Sequence, residues 1–327
     1  MTQSCRSTRS VPHSWRPLVS ERPERPALPR VPIPPRPTRA PINARVPGIG
    51  LPLPAPEPLT PLPPGDFENF CRGVKELLGV DLSLYKRKQM ERRARGLASR
   101  NHVETLTDYL HLLQKDAVLL DRFMERMTIT VSQLWRNTDI FDAIENDLLP
   151  ELDKRADGRK LKLWSAGCSY GAEPYTLASI CLEMGNKLNR TPQIKGTDIN
   201  PRMIEKARRG QYTEEDARDA PPRLLQKYFD SVQGGWIAKP ALKQLITFKV
   251  EDLFASNTDA VDLILFRNVA IHFERPRRDE VHEILANALL PGGILVLGST
   301  EMIVDPSAIG LERVRPFVFR KVATEAI

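Results

Sequence analysis

The spacing of apolar positions divides the 327-residue chain into three stretches. From position 66 to about 150 the period is helical. Phe67, Phe70, Val74, Leu77 and Leu78 stand at i, i+3, i+7, i+10 and i+11, one face of a helix that stops near Gly79. The same pattern predicts helices over 84–99, 106–113 and 117–127, with Tyr109, Leu110, Leu113, Leu119, Leu120 and Phe123 facing inward. Together they make a small all-α bundle. Beyond Arg159, short apolar runs at 161–166, 193–197, 245–250, 261–266 and 294–298 are interleaved with helical stretches at 173–184, 201–209 and 276–290. That alternation predicts a doubly wound α/β domain, a parallel sheet with helices on both faces. The segments 311–314 and 317–319 read as an extended end that adds an edge strand. No internal repeat is visible.

Residues 1–65 follow neither period. They hold 18 of the 29 prolines, and proline removes backbone donors and fixes φ, so neither helix nor sheet propagates. A disordered or polyproline II tail is expected, either a passive tether or a ligand for a proline-reading domain. The expected organisation is a tail over 1–65, a helical domain with its linker over 66–150, and a second domain over 151–327. The tail has nine arginines against three glutamates, with no lysine or aspartate, and so carries six of the formal net charges of +7. The rest is close to neutral, which weakens the charge argument for a nucleic-acid protein. No run approaches the roughly 18–20 apolar residues of a membrane helix. Arg6, Arg9 and Arg16 are followed by prolines rather than by the apolar core of a signal peptide. Cys5, Cys71, Cys168 and Cys181 are scattered without metal-ligand spacing, the usage of a reducing cytosol and an argument against zinc. A cytoplasmic protein is expected, monomeric by default, with no nucleic-acid partner and no membrane insertion.

The first strand of the alternating region ends in Ala166-Gly167-Cys168-Ser169-Tyr170-Gly171-Ala172-Glu173-Pro174. A glycine turn there lets the backbone approach a ligand closely. The spacing is not GxGxxG. Glu173 places negative charge at the helix start, which repels a pyrophosphate and suits an ammonium or sulfonium; taken alone it is also an ordinary first-turn acid favoured by the helix dipole. Asp198 closes the second strand in Thr197-Asp198-Ile199-Asn200, placed to accept hydrogen bonds from ribose hydroxyls. Together they favour S-adenosylmethionine over NAD as cofactor.

At these residues the chain resembles a known family. Leu163 through Tyr175 is similar to the WSAGCSTGEEPYS signature of the CheR methyltransferases of bacterial chemotaxis. Three further segments follow in the family's order: Thr197-Asp198-Ile199, Phe266 through Phe273, and Pro291-Gly292-Gly293 through Gly298-Ser299-Thr300-Glu301. Upstream, Thr128 through Arg136 resembles the family's TTNxTxFFR segment. The resemblance covers residues 66 to about 322 and implies a Rossmann-like methyltransferase sheet behind the helical domain. It also implies an activity, transfer of a methyl group to glutamates of a chemoreceptor's cytoplasmic region. Carried over by position, Glu173 would bind the methionine amino group and Asp198 the ribose. Asp252 and Leu253 would lie beside the adenine, and Gly167, Asn268 and Val269 would line the same pocket. Thr130, Ser132 and Arg136 would cover the cofactor from the linker, with Arg136 and His272 as catalytic candidates.

The chain also departs from the pattern. The family's asparagine is Thr130, its threonine Ser132, its paired phenylalanines Leu134-Trp135, and the first glutamate of GEEPY is Ala172. The tyrosine of RNVxIYF is His272, whose imidazole has shorter reach and a pH dependence. These changes keep a second reading open, an S-adenosylmethionine-binding sensor or adaptor with impaired turnover. Arg136 is also readable as a capping or ion-pairing residue at the domain junction, and His272 as a partly buried histidine without a role. The basic run Lys86–Arg95 is either a solvated face or, as the resemblance implies, a surface toward the receptor's acidic methylation region. The segment 228–248 corresponds to the family's small β-insert and is short here, which suggests a type that does not depend on a receptor's C-terminal peptide.

Overall fold

The computed structural model describes residues 63–127, 132–255 and 260–323. All but the last three residues of the expected tail therefore lie outside it. The helical bundle forms as the periodicity predicts: α1 (Asp66–Leu78), α2 (Arg87–Arg100), α3 (Leu106–Lys115) and α4 (Ala117–Met127). Gly79 ends α1 at φ 72°, its N–H bonded to the Lys75 carbonyl, a backbone angle that glycine adopts without a Cβ penalty. Phe70, Tyr109 and Phe123 meet at the centre with ring centroids 5.7–6.2 Å apart. The carboxylate of Asp66, buried at the start of α1, accepts from the Leu106 and Thr107 N–H groups at 2.8 and 3.0 Å and from the Thr107 hydroxyl. Three donors make its burial tolerable and lock α1 to α3.

A helical run that the apolar spacing left without an element comes next: α5 (Thr138–Ala143), a π-helical turn at Ile144–Leu148, and α6 (Leu149–Arg155). Phe141, Ile144, Leu148, Leu149 and Leu152 bury against the sheet rather than the bundle. The alternating region then gives β1 (Lys162–Ala166), α7 (Ala172–Met184), β2 (Gln193–Asp198), α8 (Pro201–Arg209), β3 (Gln211–Thr213), α9 (Pro222–Tyr228), β4 (Phe229–Val232), β5 (Gly235–Ala238), α10 (Pro240–Lys243), β6 (Ile246–Val250), β7 (Val261–Phe266), α11 (Arg275–Asn287), β8 (Leu289–Leu297), β9 (Leu311–Arg315) and β10 (Val318–Lys321).

The main sheet has the order β6-β2-β1-β7-β8-β10-β9. Its first five strands are parallel and β10 is reversed between β8 and β9. β7 is buried at every position, as a strand covered on both faces must be. The strand order reverses between β1 and β7, so a crevice opens beyond their carboxyl ends, where doubly wound sheets bind ligands. The expected single edge strand at the C-terminus is a hairpin whose turn includes Phe317 at φ 62°. β8 begins five positions before the expected strand and takes in Pro291-Gly292-Gly293. The register slips between Val261↔Leu289 and Leu263↔Ile294, and Gly292 at φ 76° supplies the conformation that a bulge needs. The expected insert at 228–248 exists as an antiparallel sheet β3-β5-β4; its third strand, β3, lies upstream of that range, and β6 belongs to the main sheet. Among the described residues no helix is long and apolar enough to cross a membrane.

His282 on α11 is 1 % exposed, and neither ring nitrogen has a hydrogen-bond partner among the described residues. Burial, opposed by the Asp279 charge and assisted by that of Arg278, pushes its pKa from 6.5 down to about 4. The folded state thus binds this proton less well than the unfolded chain, and the stability it contributes is full above pH 6.5 and lost as pH falls toward 4. The cost is roughly 3 kcal/mol across that window. His282→Leu is expected to flatten the fall of Tm between those pH values; an unchanged slope would show that His282 does not drive it.

Candidate functional site

The turn after β1 is built from three residues in the left-handed region, Gly167 (φ 71°), Ser169 (φ 51°) and Gly171 (φ 87°). At Gly167 a Cβ would stand 2.6 Å from Cγ2 of Val269, so only glycine lets the turn and the loop after β7 approach this closely. The Ser169 N–H donates to Asp198 at 2.8 Å and the Asn200 N–H at 2.9 Å. Burial raises the Asp198 pKa and these two bonds offset part of the rise. The acid that ends β2 is thereby fixed against the turn that ends β1.

Glu173, in the first turn of α7, accepts from the Ser165 hydroxyl at 2.8 Å and from Nη1 of Arg267 at 3.0 Å. Arg267 follows β7 directly, its side chain 4 % exposed. Its Nη2 donates to the Arg136 carbonyl at 2.7 Å and to Oδ1 of Asn137 at 2.8 Å. The guanidinium also lies 5.3 Å from the centre of the Phe141 ring. One cation thus holds the start of α7, the end of β7 and the linker into α5. Sequence reasoning gave Arg267 no role, although an arginine directly after six apolar or buried strand positions signals a charge that must find a partner.

Behind the loop after β7, the buried carboxylate of Glu301 accepts four backbone N–H bonds. These come from Asn268, Val269 and Ala270, each at 2.8 Å, and from Gly298 at 2.7 Å. They hold Asn268 at φ 61°, a conformation asparagine tolerates better than most residues. Burial raises the Glu301 pKa against the opposing pull of the four donors.

The helical bundle closes the crevice. Tyr85 forms an isolated antiparallel bridge with Phe273, and the Lys86 N–H donates to the His272 carbonyl at 2.9 Å. The Tyr85 phenol is pushed up by burial and then by the negative charges of Asp198 and Asp252. The Asp252 carboxylate itself receives the Phe254 N–H at 3.0 Å. His272 is pushed down from 6.5 to about 4, by burial first and then by Arg93 and Lys86. Its imidazole is neutral at physiological pH, so the pH dependence expected of it lies far below that range. From the other side, the Tyr170 hydroxyl meets Asp216 at 2.8 Å and the Ser132 carbonyl, tying the linker to the turn after β3.

A single cavity is lined by Ser132, Arg136, Gly167, Glu173, Asp198, Asp252, Leu253, Asn268, Val269 and His272. The structure therefore brings together every candidate residue that it describes; Thr130 lies outside the described residues. Missed from the sequence were Arg267, Tyr85, Glu251, and Met90, Met124 and Met127 of the bundle, which line the same cavity. The donor set fits a cationic nucleoside: carboxylates outnumber cations along the lining, Asp198 can accept from a diol, and the thioethers offer a polarisable apolar wall.

Residues 130–314 match the CheR methyltransferase S-adenosylmethionine-binding domain, and residues 65–128 match the all-alpha domain of the same enzymes. The chain belongs to the CheR family. It is 34 % identical over 257 residues to a chemotaxis protein methyltransferase of Listeria monocytogenes, covering 78 % of this chain and 97 % of that one. It is 30 % identical to chemotaxis protein methyltransferase 1 of Pseudomonas aeruginosa, covering 73 % and 90 %. A Borreliella burgdorferi relative of the same description is 28 % identical over 78 % of this chain and 94 % of its own. The cofactor of the α/β domain is S-adenosylmethionine, as the glycine turn with Glu173 and Asp198 led one to expect. For this CheR chain, Arg267→Met leaves the partly buried Glu173 without its cation, and the expected loss of folding stability is about 1–3 kcal/mol. Denaturant unfolding measures it, and an unshifted midpoint would show that the pair does not hold the site together.

Proposed function

We propose that the protein transfers the methyl group of S-adenosylmethionine to glutamate side chains in the cytoplasmic region of a chemoreceptor. The observation that carries this reading is that Arg136 and His272 border the same enclosed cavity as Glu173 and Asp198. A carboxylate-orienting cation and a neutral imidazole thus face the space where the cofactor's polar groups are expected. Asp198 would hold the ribose, Glu173 the methionine amino group, and Asp252 with Leu253 the adenine. Ser132, Gly167, Asn268 and Val269 would shape the pocket wall, with Thr130 reaching in from the linker. The names of the relatives support chemotaxis as the setting.

When bound, the cofactor supplies an electrophilic methyl on a sulfonium, with a good leaving group. The chain's own residues have little covalent work to do. A glutamate with an ordinary pKa of about 4.3 is already ionised, so no general base is required. Arg136 presents a planar guanidinium that can fork onto the incoming carboxylate. His272, uncharged at neutral pH, can donate one hydrogen bond without competing as a cation for that carboxylate. Met90, Met124 and Met127 of the bundle exclude water from the cavity. Holding the two reactants near attack distance in such a site is worth up to roughly 7–11 kcal/mol.

Radiolabelled methyl should pass from S-adenosylmethionine to receptor cytoplasmic fragments as a base-labile ester. Arg136→Ala is expected to lower kcat/KM on the order of a hundredfold. Asp198→Ala should raise the KM for the cofactor by about tenfold or more, the loss of a charged hydrogen-bond acceptor. With His272 titrating near 4, its protonation leaves the rate flat between about pH 6 and 8. Absence of label from a chain that still binds the cofactor would discard the enzyme reading and leave a sensor or adaptor. A rate that follows an ionisation near 6.5 would contradict the role given to His272.

A further inference from the structure

Tyr85 enters the cofactor cavity from the bundle with a hydroxyl that no described protein group uses. The tyrosines of the α/β domain all spend theirs on protein partners. Tyr170 meets Asp216 at 2.8 Å, Tyr175 donates to the Ala207 carbonyl at 3.0 Å, Tyr212 to the Tyr170 carbonyl at 3.2 Å, and Tyr228 to Glu183 at 2.9 Å. The Tyr85 hydroxyl has no hydrogen-bond partner among the described residues. Yet the residue is half-buried and lines the cavity with Asp198, Asp252 and Phe273. A tyrosine in such a place ordinarily has a partner for its O–H.

The ring is held in place from both sides. The Glu274 N–H donates to the Leu84 carbonyl at 3.4 Å and the Lys86 N–H to the His272 carbonyl at 2.9 Å, so both neighbours of Tyr85 are bonded to the segment after β7. The Tyr85 ring lies 5.0 Å from that of Phe273, which in turn packs on Phe254 at 5.4 Å. Asp198 and Asp252 act on the phenol more strongly than Asp81, four residues back on its own segment. The hydroxyl therefore points to the α/β side of the cavity. Burial and these charges all push its pKa up, so the phenol stays protonated and can donate.

We infer that the Tyr85 hydroxyl is a cofactor-binding group contributed by the bundle, donating a hydrogen bond to the adenosine half of S-adenosylmethionine between Asp198 and Asp252. Ionised carboxylates only accept. They suit the ribose hydroxyls and the exocyclic amine, but an adenosine also carries acceptors, its ribose oxygens and ring nitrogens, and these need a donor. Tyr85 supplies a neutral one on a ring already fixed by Phe273, so little side-chain freedom is lost when it bonds. The nucleoside then touches both halves of the protein, through a residue two positions ahead of α2. The inference rests on the placement of ribose and adenine proposed above.

Calorimetric titration of the full chain and of its Tyr85→Phe variant tests this without any transfer to a receptor. The probes are S-adenosylmethionine, S-adenosylhomocysteine and methylthioadenosine, the last keeping the nucleoside and lacking the amino-acid end. Loss of one neutral hydrogen bond should weaken all three by the same factor, about three- to tenfold. The variant keeps its ring against Phe273, so the unfolding midpoint of the ligand-free chain should not move, as it would if the hydroxyl were structural. Asp198→Ala is titrated alongside. Unchanged affinity in Tyr85→Phe with a loss in Asp198→Ala would overturn the inference and leave the cofactor's placement standing. Unchanged affinity in both variants would overturn both. A loss for the two amino-acid-bearing ligands but not for methylthioadenosine would put the hydroxyl at the methionine end, and would equally overturn the inference.

Discussion

The arrangement of the site depends on one ion pair whose cation is buried. Arg267 and Glu173 come from the carboxyl end of β7 and the first turn of α7, the helix that follows β1, and the strand order reverses between β1 and β7. A buried charge is costly unless it is paired and its remaining hydrogen-bond capacity is used. Glu173 takes a second donor from Ser165, and Arg267 spends its other bonds on the carbonyl of Arg136 and the side chain of Asn137. The linker is therefore drawn over the crevice by the electrostatic requirement of a residue more than a hundred positions away. Nε of Arg267 is left without a partner among the described residues.

Around this pair, two further carboxylates are fixed by backbone donors. Asp198 is held by the turn after β1, and Glu301 gathers four N–H groups from the loop after β7 and the end of β8. Positive φ occurs at several places among the described residues, His102, Asp157 and Phe317 included, and at the site it marks Ser169 and Asn268. Such conformations persist only where neighbouring structure determines them, and here the neighbours are the carboxylates themselves. The helical bundle completes the enclosure through the bridge of Tyr85 to Phe273 and the bond from Lys86 to His272. The position of His272 is thus set jointly by both halves of the protein. So is its neutrality, since burial and the charges of Arg93 and Lys86 all disfavour its cation.

Much of this was legible in the sequence because it rests on periodicity and local chemistry. The helical stripe of Phe67, Phe70 and Val74 and the glycine turn at Gly167 each declare themselves within a few residues, and the motif residues Glu173, Asp198, Asn268 and His272 converge on one cavity. What was not legible depends on contacts distant in the chain. Helices α5 and α6 fit no simple apolar stripe because a π-helical turn at Ile144–Leu148 shifts the phase between them. The strand β8 hid behind Pro291-Gly292-Gly293, a run that reads as a turn and serves as a bulge. Arg267 has no periodic signature at all. Its role follows only once Glu173, Asn137 and Phe141 are seen around it. The methionines of α2 and α4 read as core residues, which they also are; that the same side chains reach the cofactor cavity follows from how the bundle docks.

The central claim is that the bundle and the α/β domain enclose the cofactor together, through the linker pinned by Arg267. Hydrogen exchange on the full chain, with and without saturating S-adenosylmethionine, addresses it directly. The account predicts slowed exchange not only in the turn after β1 and the loop at 267–270, but also in the last turn of α4, the linker at 132–137 and the start of α2. Protection confined to the α/β domain, with the bundle and linker exchanging as in the free protein, would contradict it.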